Sequence, residues 1–393
     1  MQNINKKKGL YVHVPFCVSK CNYCDFVSQK IKKEDVLKYL EGLKYEVDFR
    51  KKNLDGLSLF DSLYIGGGTP TSLDIDDLEY LLNLIFENFQ ISSKAEITIE
   101  VNPLTIDEDK VKLLKDYVNR ISLGLQTTKD SLLKLISRIH TYQDFLTTYE
   151  LITKYFGNIN VDLIYGIPEQ TLEDLNKDLC RLIGLLPSHI SIYGLTLEEG
   201  TELYNQIEDN KINNLPSDNL QSKMYYQARD TLINNGYSHY EISNFALLGK
   251  KSSHNLIYWQ RGNYLGLGPG AHSFWNSIRW KNPDDPKEYY KKSKKAKLNR
   301  NNIDYLTEEK NKIAYYEALF EEFMLGLRLV EGIDLKEIGE KFNLDVYKFY
   351  QNEINELQER GLIKKNKNRI KLTTPGYMLS NRVFVEFLTN LDK

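Results

Sequence analysis

Residues 17–26 read CVSKCNYCDF and contain three of the four cysteines of this 393-residue chain. They follow a short apolar run at residues 10–14 that has the composition of a strand buried on both faces. Three thiolates, from Cys17, Cys21 and Cys24, can bind three irons of a 4Fe–4S cluster and leave the fourth iron open. A zinc site that lacks a ligand and a chance grouping are the alternatives, although His13 is the one nearby candidate for a fourth zinc ligand.

The composition is that of a core-forming chain, with 41% hydrophobic residues, 27% charged residues and a formal net charge of -2. This balance provides no general electrostatic attraction for nucleic acid. We find no signal peptide, and no apolar stretch approaches the roughly 20 residues that a membrane helix needs. We therefore expect a cytoplasmic protein, in which clustered cysteines bind metal more often than they form disulfides.

Six strand-like runs alternate with amphipathic segments in the first half of the chain, at residues 10–14, 62–65, 96–101, 120–125, 160–165 and 189–193. The segments between them have helical spacing, as at Val36, Leu40 and Leu43. Repeated strand–helix units predict an α/β fold with a parallel sheet, and six of them favour a partial (β/α)6 barrel. An open doubly wound sheet is the alternative, and in both folds ligands gather at the C-terminal ends of the strands.

Three domains are predicted. The barrel takes residues 1–235, ending in a helix at 217–235, and a loop-rich connecting region follows at 236–300. Within it, the basic segment 287–300 is predicted to be a helix with a solvated face, and contact of its lysines and tyrosines with a membrane surface or RNA is the alternative. Residues 301–393 have the helix, turn, helix and short hairpin of a winged-helix module. Its second helix carries Glu353, Glu356 and Glu359, which would repel phosphate, so we expect a packing or partner domain.

Polar residues also occur at or near the predicted strand ends. GGGTP at residues 66–70 follows the second strand, Glu100 ends the third, Gln126 follows the fourth, and Arg138 and Asp162 come later. Taken singly, such a residue is more often a hydrogen-bonded core or capping group. Together they predict a ligand site at the same edge of the sheet as the cysteine loop.

YVHVPFCVSKCNYCDF resembles the signature of radical S-adenosylmethionine proteins. In that family the open iron binds the amine and carboxylate of the methionine moiety, and the reduced cluster passes an electron to the sulfonium, which releases a 5′-deoxyadenosyl radical. The resemblance implies that Cys17, Cys21 and Cys24 bind the cluster. It also implies S-adenosylmethionine contacts from Tyr11, Tyr23 (where Phe is expected), Gly67, Gly68, Thr69, Glu100, Gln126, Arg138 and Asp162.

Residues 237–273, together with GGGTPTSL, RISLGLQT and DLIYGIPEQT, are similar to the HemW family of heme chaperones over essentially the whole chain. The related oxygen-independent coproporphyrinogen dehydrogenases carry CxxxCxxCxC, whose last cysteine is Phe26 here, and a longer N-terminal segment. HNLIYW at 254–259 matches the HNxxYW pattern of the HemW family, which implies heme contacts from His254, Asn255, Tyr258 and Trp259, with His254 as iron ligand.

We therefore expect a protein that binds heme and passes it to an acceptor, which we expect to be a respiratory enzyme. Oxidative decarboxylation of coproporphyrinogen III is the alternative. A nucleic-acid-modifying enzyme is a third reading, which the acidic helix disfavours. His272 is a second candidate heme ligand, His140 and His239 are predicted to be structural, and Cys180 is predicted to be a small core residue.

Overall fold

The computed structural model of the chain describes residues 7–54, 59–298 and 303–390. The strands within these ranges are β1 (Lys8–Val14), β2 (Phe16–Cys17), β3 (Gln29–Lys30), β4 (Leu59–Gly67), β5 (Gln90–Val101), β6 (Arg120–Gln126), β7 (Ile159–Tyr165), β8 (His189–Gly194), β9 (Ser238–Glu241), β10 (Asn244–Ala246), β11 (Asn263–Leu267), β12 (His272–Trp275), β13 (Ile278–Lys281), β14 (Glu308–Lys312), β15 (Ile333–Asp334), β16 (Ile363–Asn366) and β17 (Arg369–Leu372).

The helices in the same ranges are α1 (Lys33–Asn53), α2 (Ile75–Asn88), α3 (Glu108–Lys115), α4 (Asp130–Leu135), α5 (Tyr142–Thr153), α6 (Leu172–Leu185), α7 (Glu202–Glu208), α8 (Asp218–Asn234), α9 (Ser253–Trp259), α10 (Pro286–Leu298), α11 (Tyr315–Gly326), α12 (Leu335–Phe342), α13 (Val346–Phe349), α14 (Gln351–Glu359), α15 (Thr374–Met378) and α16 (Ser380–Glu386). Short 3-10 turns occupy Pro70–Ser72, Ile303–Leu306 and Phe387–Asn390.

A twelve-stranded sheet organises the described chain, in the order β14-β13-β12-β11-β1-β4-β5-β6-β7-β8-β10-β9. All six predicted runs fall in strands, and β1 and β4 to β8 pair in parallel. These strands are apolar because both of their faces are covered, and all seven residues of β6 are buried. The edge strands β14 and β9 do not pair with each other. The predicted α/β fold with a partial barrel is therefore confirmed.

Parallel strands bring their ends together at one edge of the barrel. Capping boxes fix the starts of two of the connecting helices. Thr141 and Asp144 exchange hydrogen bonds at the start of α5, and Thr171 and Asp174 do the same at the start of α6. The strand ends that carry the predicted site therefore rest on helices with defined starting points.

The connecting region 236–300 differs from the loop-rich segment that the sequence suggests. It contributes five strands of three to five residues and the helices α9 and α10. Strands this short have little periodicity, and glycines and asparagines at the turns between them dominate the composition. Strands β9 to β14 belong to the same sheet as β1 and β4 to β8, so the boundary proposed at residue 235 falls within one sheet. Residues 299–302, next to the second proposed boundary, lie outside the described residues.

The C-terminal part contains α11 to α16 and a three-stranded sheet in the order β15-β17-β16. The predicted hairpin is present as β16 and β17. The long second helix is divided into α13 and α14 at Tyr350, whose φ of -107° and ψ of 25° are not helical. No helix in the described part of the chain is long and apolar enough to cross a membrane.

Cys180 is exposed, so its assignment as a small core residue was wrong. Helix α6 buries Leu175, Leu179 and Leu182 against the sheet. Cys180 follows Leu179 by one position, which turns it about 100° away from the buried face of a helix with 3.6 residues per turn.

Candidate cluster site and heme-motif helix

The three thiols lie on one loop that leaves the C-terminal end of β1. Cys17 ends β2, and the backbone N–H of Ile31 donates to its carbonyl oxygen at 2.9 Å, which closes the loop on the β3 side. Cys17, Cys21 and Cys24 are half-buried free thiols. Burial raises the pKa of the Cys17 thiol and raises that of Cys24 to about 11.

Among the described residues, no group of three His, Cys, Asp or Glu side chains converges as a single metal ion requires. In a cubane, each of three thiolates binds a separate iron, and this loop carries three thiols.

Two polar side chains hydrogen-bond to cysteine sulfurs, and a third connects them. The Thr69 hydroxyl lies 3.7 Å from Cys17 Sγ, and Arg138 Nη1 donates to Cys21 Sγ at 3.5 Å. Asn102 connects the two, because its Nδ2 donates to Thr69 Oγ1 at 2.7 Å and its Oδ1 accepts from Arg138 Nη2. Sequence reasoning named Thr69 and Arg138 but missed Asn102. The available signal was its position directly after β5, in EVNP.

The glycines after β4 allow a close backbone approach to the cysteine loop. Gly68 N donates to the Val14 carbonyl at 2.8 Å, and a Cβ at residue 68 would lie 2.5 Å from the Phe16 carbonyl oxygen. Gly67 has a φ of +106°, and a Cβ there would collide with the His13 ring. Only glycine fits both positions without displacement. The GGGTP turn is thus joined to the loop that carries the thiols.

Below this turn lies a layer of half-buried polar groups. Glu100 accepts from the Tyr64 hydroxyl at 2.7 Å and from Gly67 N at 3.0 Å. Burial raises the Glu100 pKa to about 7, and the nearby Asp162 adds to the effect. The Tyr11 hydroxyl hydrogen-bonds to His13 Nδ1 at 2.9 Å, and its ring lies 6.2 Å from that of Tyr64.

The other predicted contacts surround the same space. Asp162 accepts from Asn160 Nδ2 at 2.8 Å, and burial raises its pKa. Gln126 is buried at the end of β6 with a φ of +72°, a left-handed conformation that is uncommon for a residue other than glycine. Tyr23 packs on the small apolar cluster that contains Ile164, and its pKa is raised mainly by burial. The structure therefore brings these residues to the cysteine end of the strands.

A small cavity opens beside the cysteine loop. Its lining includes Cys21, Thr69, Asn102, Arg138 and His140. His140 Nε2 is buried and has no hydrogen-bond partner in the described part of the chain. Burial lowers the His140 pKa to about 4, with a contribution from Arg138. His140 thus contributes a neutral imidazole to the lining of this cavity, and the structural role that the sequence predicts for it stays a prediction.

The HNLIYW stretch forms α9, which lies at the opposite end of the barrel. His254 is 1% exposed and contacts β1 near Gly9 and β4 at Ser62. Gly9 and Ser62 are register partners early in their strands, whereas Val14, next to the cysteine loop, pairs with Gly67. Five residues of strand separate Gly9 from Val14, a rise of about 17 Å.

Both ring nitrogens of His254 are hydrogen-bonded. Nδ1 lies 2.8 Å from Ser62 Oγ, and Nε2 lies 2.8 Å from the Tyr258 hydroxyl. Burial and the charge of Arg120 lower the His254 pKa to about 3, so the ring is neutral. To bind heme iron, His254 would have to give up one of these hydrogen bonds and leave its buried position.

A single carboxylate anchors the start of α9. Glu96 accepts from Ser252 Oγ, Ser253 N and His254 N at 3.0 to 3.1 Å. Arg120 Nε lies 4.0 Å from the same carboxylate, and both side chains are almost fully buried. A negative charge at a helix N-terminus is favourable, and here it also satisfies backbone donors that would otherwise be unpaired. Sequence reasoning did not single out Glu96 or Arg120, because their partners lie more than 20 residues away.

The remaining members of the motif are half-buried. Asn255, Tyr258 and Trp259 are neither fully buried nor fully exposed. Trp259 Nε1 is enclosed and has no partner among the described residues, and the Arg328 guanidinium lies 4.4 Å from the centre of the Trp259 ring. His272 is exposed at the start of β12. His239 stacks on Phe245, in keeping with the structural role expected for it.

A partial parallel barrel with a three-cysteine loop at the C-terminal strand ends defines a radical S-adenosylmethionine fold. The family model described as Radical SAM superfamily matches residues 11–180, and that described as HemN C-terminal domain matches residues 316–379. The structure of coproporphyrinogen III oxidase (HemN) from Escherichia coli superimposes with a TM-score of 0.85. The match covers 98% of this chain and 91% of that chain at 23% identity, which establishes the shared fold.

Two relatives match the chain over nearly its whole length. The heme chaperone HemW of Lactococcus lactis is 36% identical, covering 98% of each chain. The heme chaperone HemW of Bacillus subtilis is 35% identical, covering 98% of this chain and 100% of the relative. The chain belongs to the HemW family.

Proposed function

We propose that the protein binds heme and transfers it to an acceptor protein, as the names of its relatives describe for them. The observation that carries the proposal is the HNLIYW stretch, which forms a discrete helix anchored by Glu96 in a chain with full-length similarity to heme chaperones. Half-buried Tyr258 and Trp259 would offer aromatic surface to a porphyrin.

We further propose that Cys17, Cys21 and Cys24 hold a 4Fe–4S cluster, which supplies one-electron chemistry when bound. Hydrogen bonds from Thr69 and Arg138 to two of the sulfurs would stabilise thiolates in this position. S-adenosylmethionine would be bound by the polar residues around the loop, namely Tyr11, Tyr23, Gly67, Gly68, Glu100, Gln126 and Asp162. The close Gly68 approach and the half-buried donors and acceptors of this layer support the assignment.

The proposed partners are heme and a heme-acceptor protein, which we expect to be a respiratory enzyme. Peripheral contact with a membrane would use α10, where Lys287, Lys291 and Lys295 are exposed. No nucleic-acid partner is proposed. The cytoplasm is the proposed compartment, and four free cysteines suit its reducing conditions.

A heme titration of the purified protein, with and without the reconstituted cluster, tests the proposal. We expect saturable binding near one heme per chain, followed by transfer of the heme to an apo-acceptor. A reconstituted protein that binds no heme would refute it. Anaerobic formation of protoporphyrinogen from coproporphyrinogen III would instead establish the alternative enzyme activity.

Two histidine variants address the iron ligand. If His254 is the ligand, His254→Ala changes the absorption spectrum of bound heme and His272→Ala does not. The reverse result assigns the exposed His272. Tyr258→Phe is a useful companion, because it frees His254 Nε2 without removing the ring.

A further inference from the structure

The arginine Arg328 lies beside the heme-motif helix, with its guanidinium over the Trp259 ring. Arg328 follows α11 and is half-buried, and its enclosed Nε has no hydrogen-bond partner in the part of the chain that the structure describes. Other buried arginines also enclose one nitrogen that is unpartnered within the described ranges, as Arg120 and Arg138 do at Nε and Arg261 does at Nη2, but each of them makes at least one side-chain hydrogen bond elsewhere. Arg50 bonds to Glu46 and Asn282, and Arg261 bonds to Glu321 at 2.6 Å. Enclosing a guanidinium N–H without an acceptor is costly, and a bound acceptor would offset that cost.

Arg328 is held against the motif by the surrounding backbone. The Arg328 carbonyl accepts from Ile242 N at 3.1 Å, and Val330 N donates to the Tyr240 carbonyl at 3.0 Å. Residues 328–330 thus pair with the chain around the end of edge strand β9. The Arg261–Glu321 ion pair ties α11 to the chain just after α9. Both connections fix the Arg328 guanidinium 4.4 Å from the centre of the Trp259 ring.

Two N–H donors that lack acceptors among the described residues therefore lie on neighbouring segments, one on α9 and one just after α11. Trp259 Nε1 and Arg328 Nε are both enclosed and unpartnered among the described residues. The Glu241 carboxylate interacts electrostatically with Arg328, but its hydrogen bond is accepted from Asn244 Nδ2. Burial lowers the Arg328 pKa, while Glu241 and Tyr193 act in the opposite direction. An arginine with free N–H groups beside an aromatic face suits a planar ligand that carries carboxylates.

We infer that Arg328 binds a propionate carboxylate of the heme, with Trp259 against the macrocycle. The inference rests on the proposed heme-binding function and adds a residue outside the HNxxYW motif, from the C-terminal part of the chain. It also explains why the motif helix is joined to α11 by buried ion pairs. The site for the propionate is complete only when α9, which carries Trp259, and the segment after α11, which carries Arg328, are both in place.

The test compares hemin with hemin dimethyl ester, whose esterified propionates carry no charge. The wild-type protein with reconstituted cluster should bind hemin about tenfold or more tightly than the ester, the size of effect expected for one charge-assisted hydrogen bond. Arg328→Gln should weaken hemin binding by a similar factor and leave ester binding unchanged. Arg328→Lys should recover only part of the preference, because it keeps the charge but lacks the planar fork.

Arg360→Gln is the matched control, since Arg360 is a surface residue paired with Glu386. It should not change either affinity. Arg328→Gln should also unfold at a temperature no lower than the wild type, because it removes an unpaired buried charge. Equal wild-type affinity for hemin and its ester, or an unchanged preference in Arg328→Gln, would overturn the inference and leave heme binding intact. Failure of the wild type to bind either compound would refute the proposed function and the inference with it.

Discussion

The two ends of the barrel differ in how they treat their key side chains. At the C-terminal end of the strands, Cys17, Cys21 and Cys24 are half-buried, and two of their sulfurs receive hydrogen bonds from the surrounding scaffold. At the N-terminal end, His254 is buried with both ring nitrogens occupied. The cysteine loop is therefore arranged for a ligand, whereas His254 secures its own helix to the barrel.

The difference shows that matching a motif and being accessible are separate properties. Both stretches match family patterns equally well in sequence. Only the folded chain shows that the cysteine loop leaves its thiols half-buried, whereas the HNLIYW helix buries the imidazole of His254. At the HNLIYW helix, the Nε1 of Trp259 has no partner among the described residues, and neither has the Nε of Arg328, which lies beside the helix and outside the motif.

The largest expected effect is at the cysteine end. Replacing Cys17, Cys21 and Cys24 together by Ala should abolish cluster binding, because no thiolate would remain on the loop. Iron and sulfide analysis after anaerobic reconstitution measures this directly. Cys180→Ala is the control and should retain the full iron content, since its thiol is exposed on α6. Four irons retained by the triple variant would mean that the cluster is elsewhere.

At the opposite end, Glu96→Ala should destabilise the fold by about 3 to 5 kcal/mol, because it leaves Arg120 without its buried carboxylate and removes three acceptor contacts. Denaturant unfolding of the cluster-free protein measures the loss. Glu108→Ala removes an exposed ion pair with Lys112 and should cost under about 0.5 kcal/mol. If the two variants are equally stable, α9 is not anchored as the structure indicates.

Sequence reasoning was sufficient where the signal is local. The six parallel strands and the cysteine loop could be predicted because apolar runs and close cysteine spacing lie within short windows. The connecting strands β9 to β13 were missed because each is too short to show a period. Asn102, Glu96 and Arg328 were missed for another reason. Their partners are 33 or more residues away, at Thr69, at Ser252 to His254 and at Trp259, so only the fold joins them.

The variant Glu100→Gln tests how the free energy of unfolding depends on pH at the cysteine end of the barrel. Burial raises the Glu100 pKa from 4.5 to about 7, so the folded protein binds this proton more tightly than the unfolded chain. Ionising Glu100 is then unfavourable for folding, and stability falls as the pH rises from about 4.5 to 7, by up to about 3 kcal/mol. Glu100→Gln should remove that part of the pH dependence. The measurement is the free energy of unfolding of the cluster-free protein at several pH values in this interval.

Asp144→Asn is the matched control for Glu100. Asp144 is half-buried, and its pKa is lowered chiefly by the hydrogen bond from the Thr141 hydroxyl. Its contribution is therefore complete above the ordinary pKa of an aspartate and is lost only at more acidic pH. A Glu100→Gln protein with the same slope as the wild type between pH 4.5 and 7 would show that Glu100 ionises normally in the fold.

The smallest expected effect is at Phe26, the position that separates this chain from the CxxxCxxCxC pattern. Its side chain is 62% exposed, so Phe26→Ser should change the free energy of unfolding by less than about 0.5 kcal/mol and leave the iron content unchanged. Phe16, on the same loop, is 0% exposed, and Phe16→Ala should cost about 3 to 5 kcal/mol. A large loss of stability or iron in Phe26→Ser would mean that the loop needs this ring. If Phe26→Ser keeps its stability and iron content as expected, the fold does not require a particular side chain at residue 26. The residue type at this position is then determined by the chemistry of the loop.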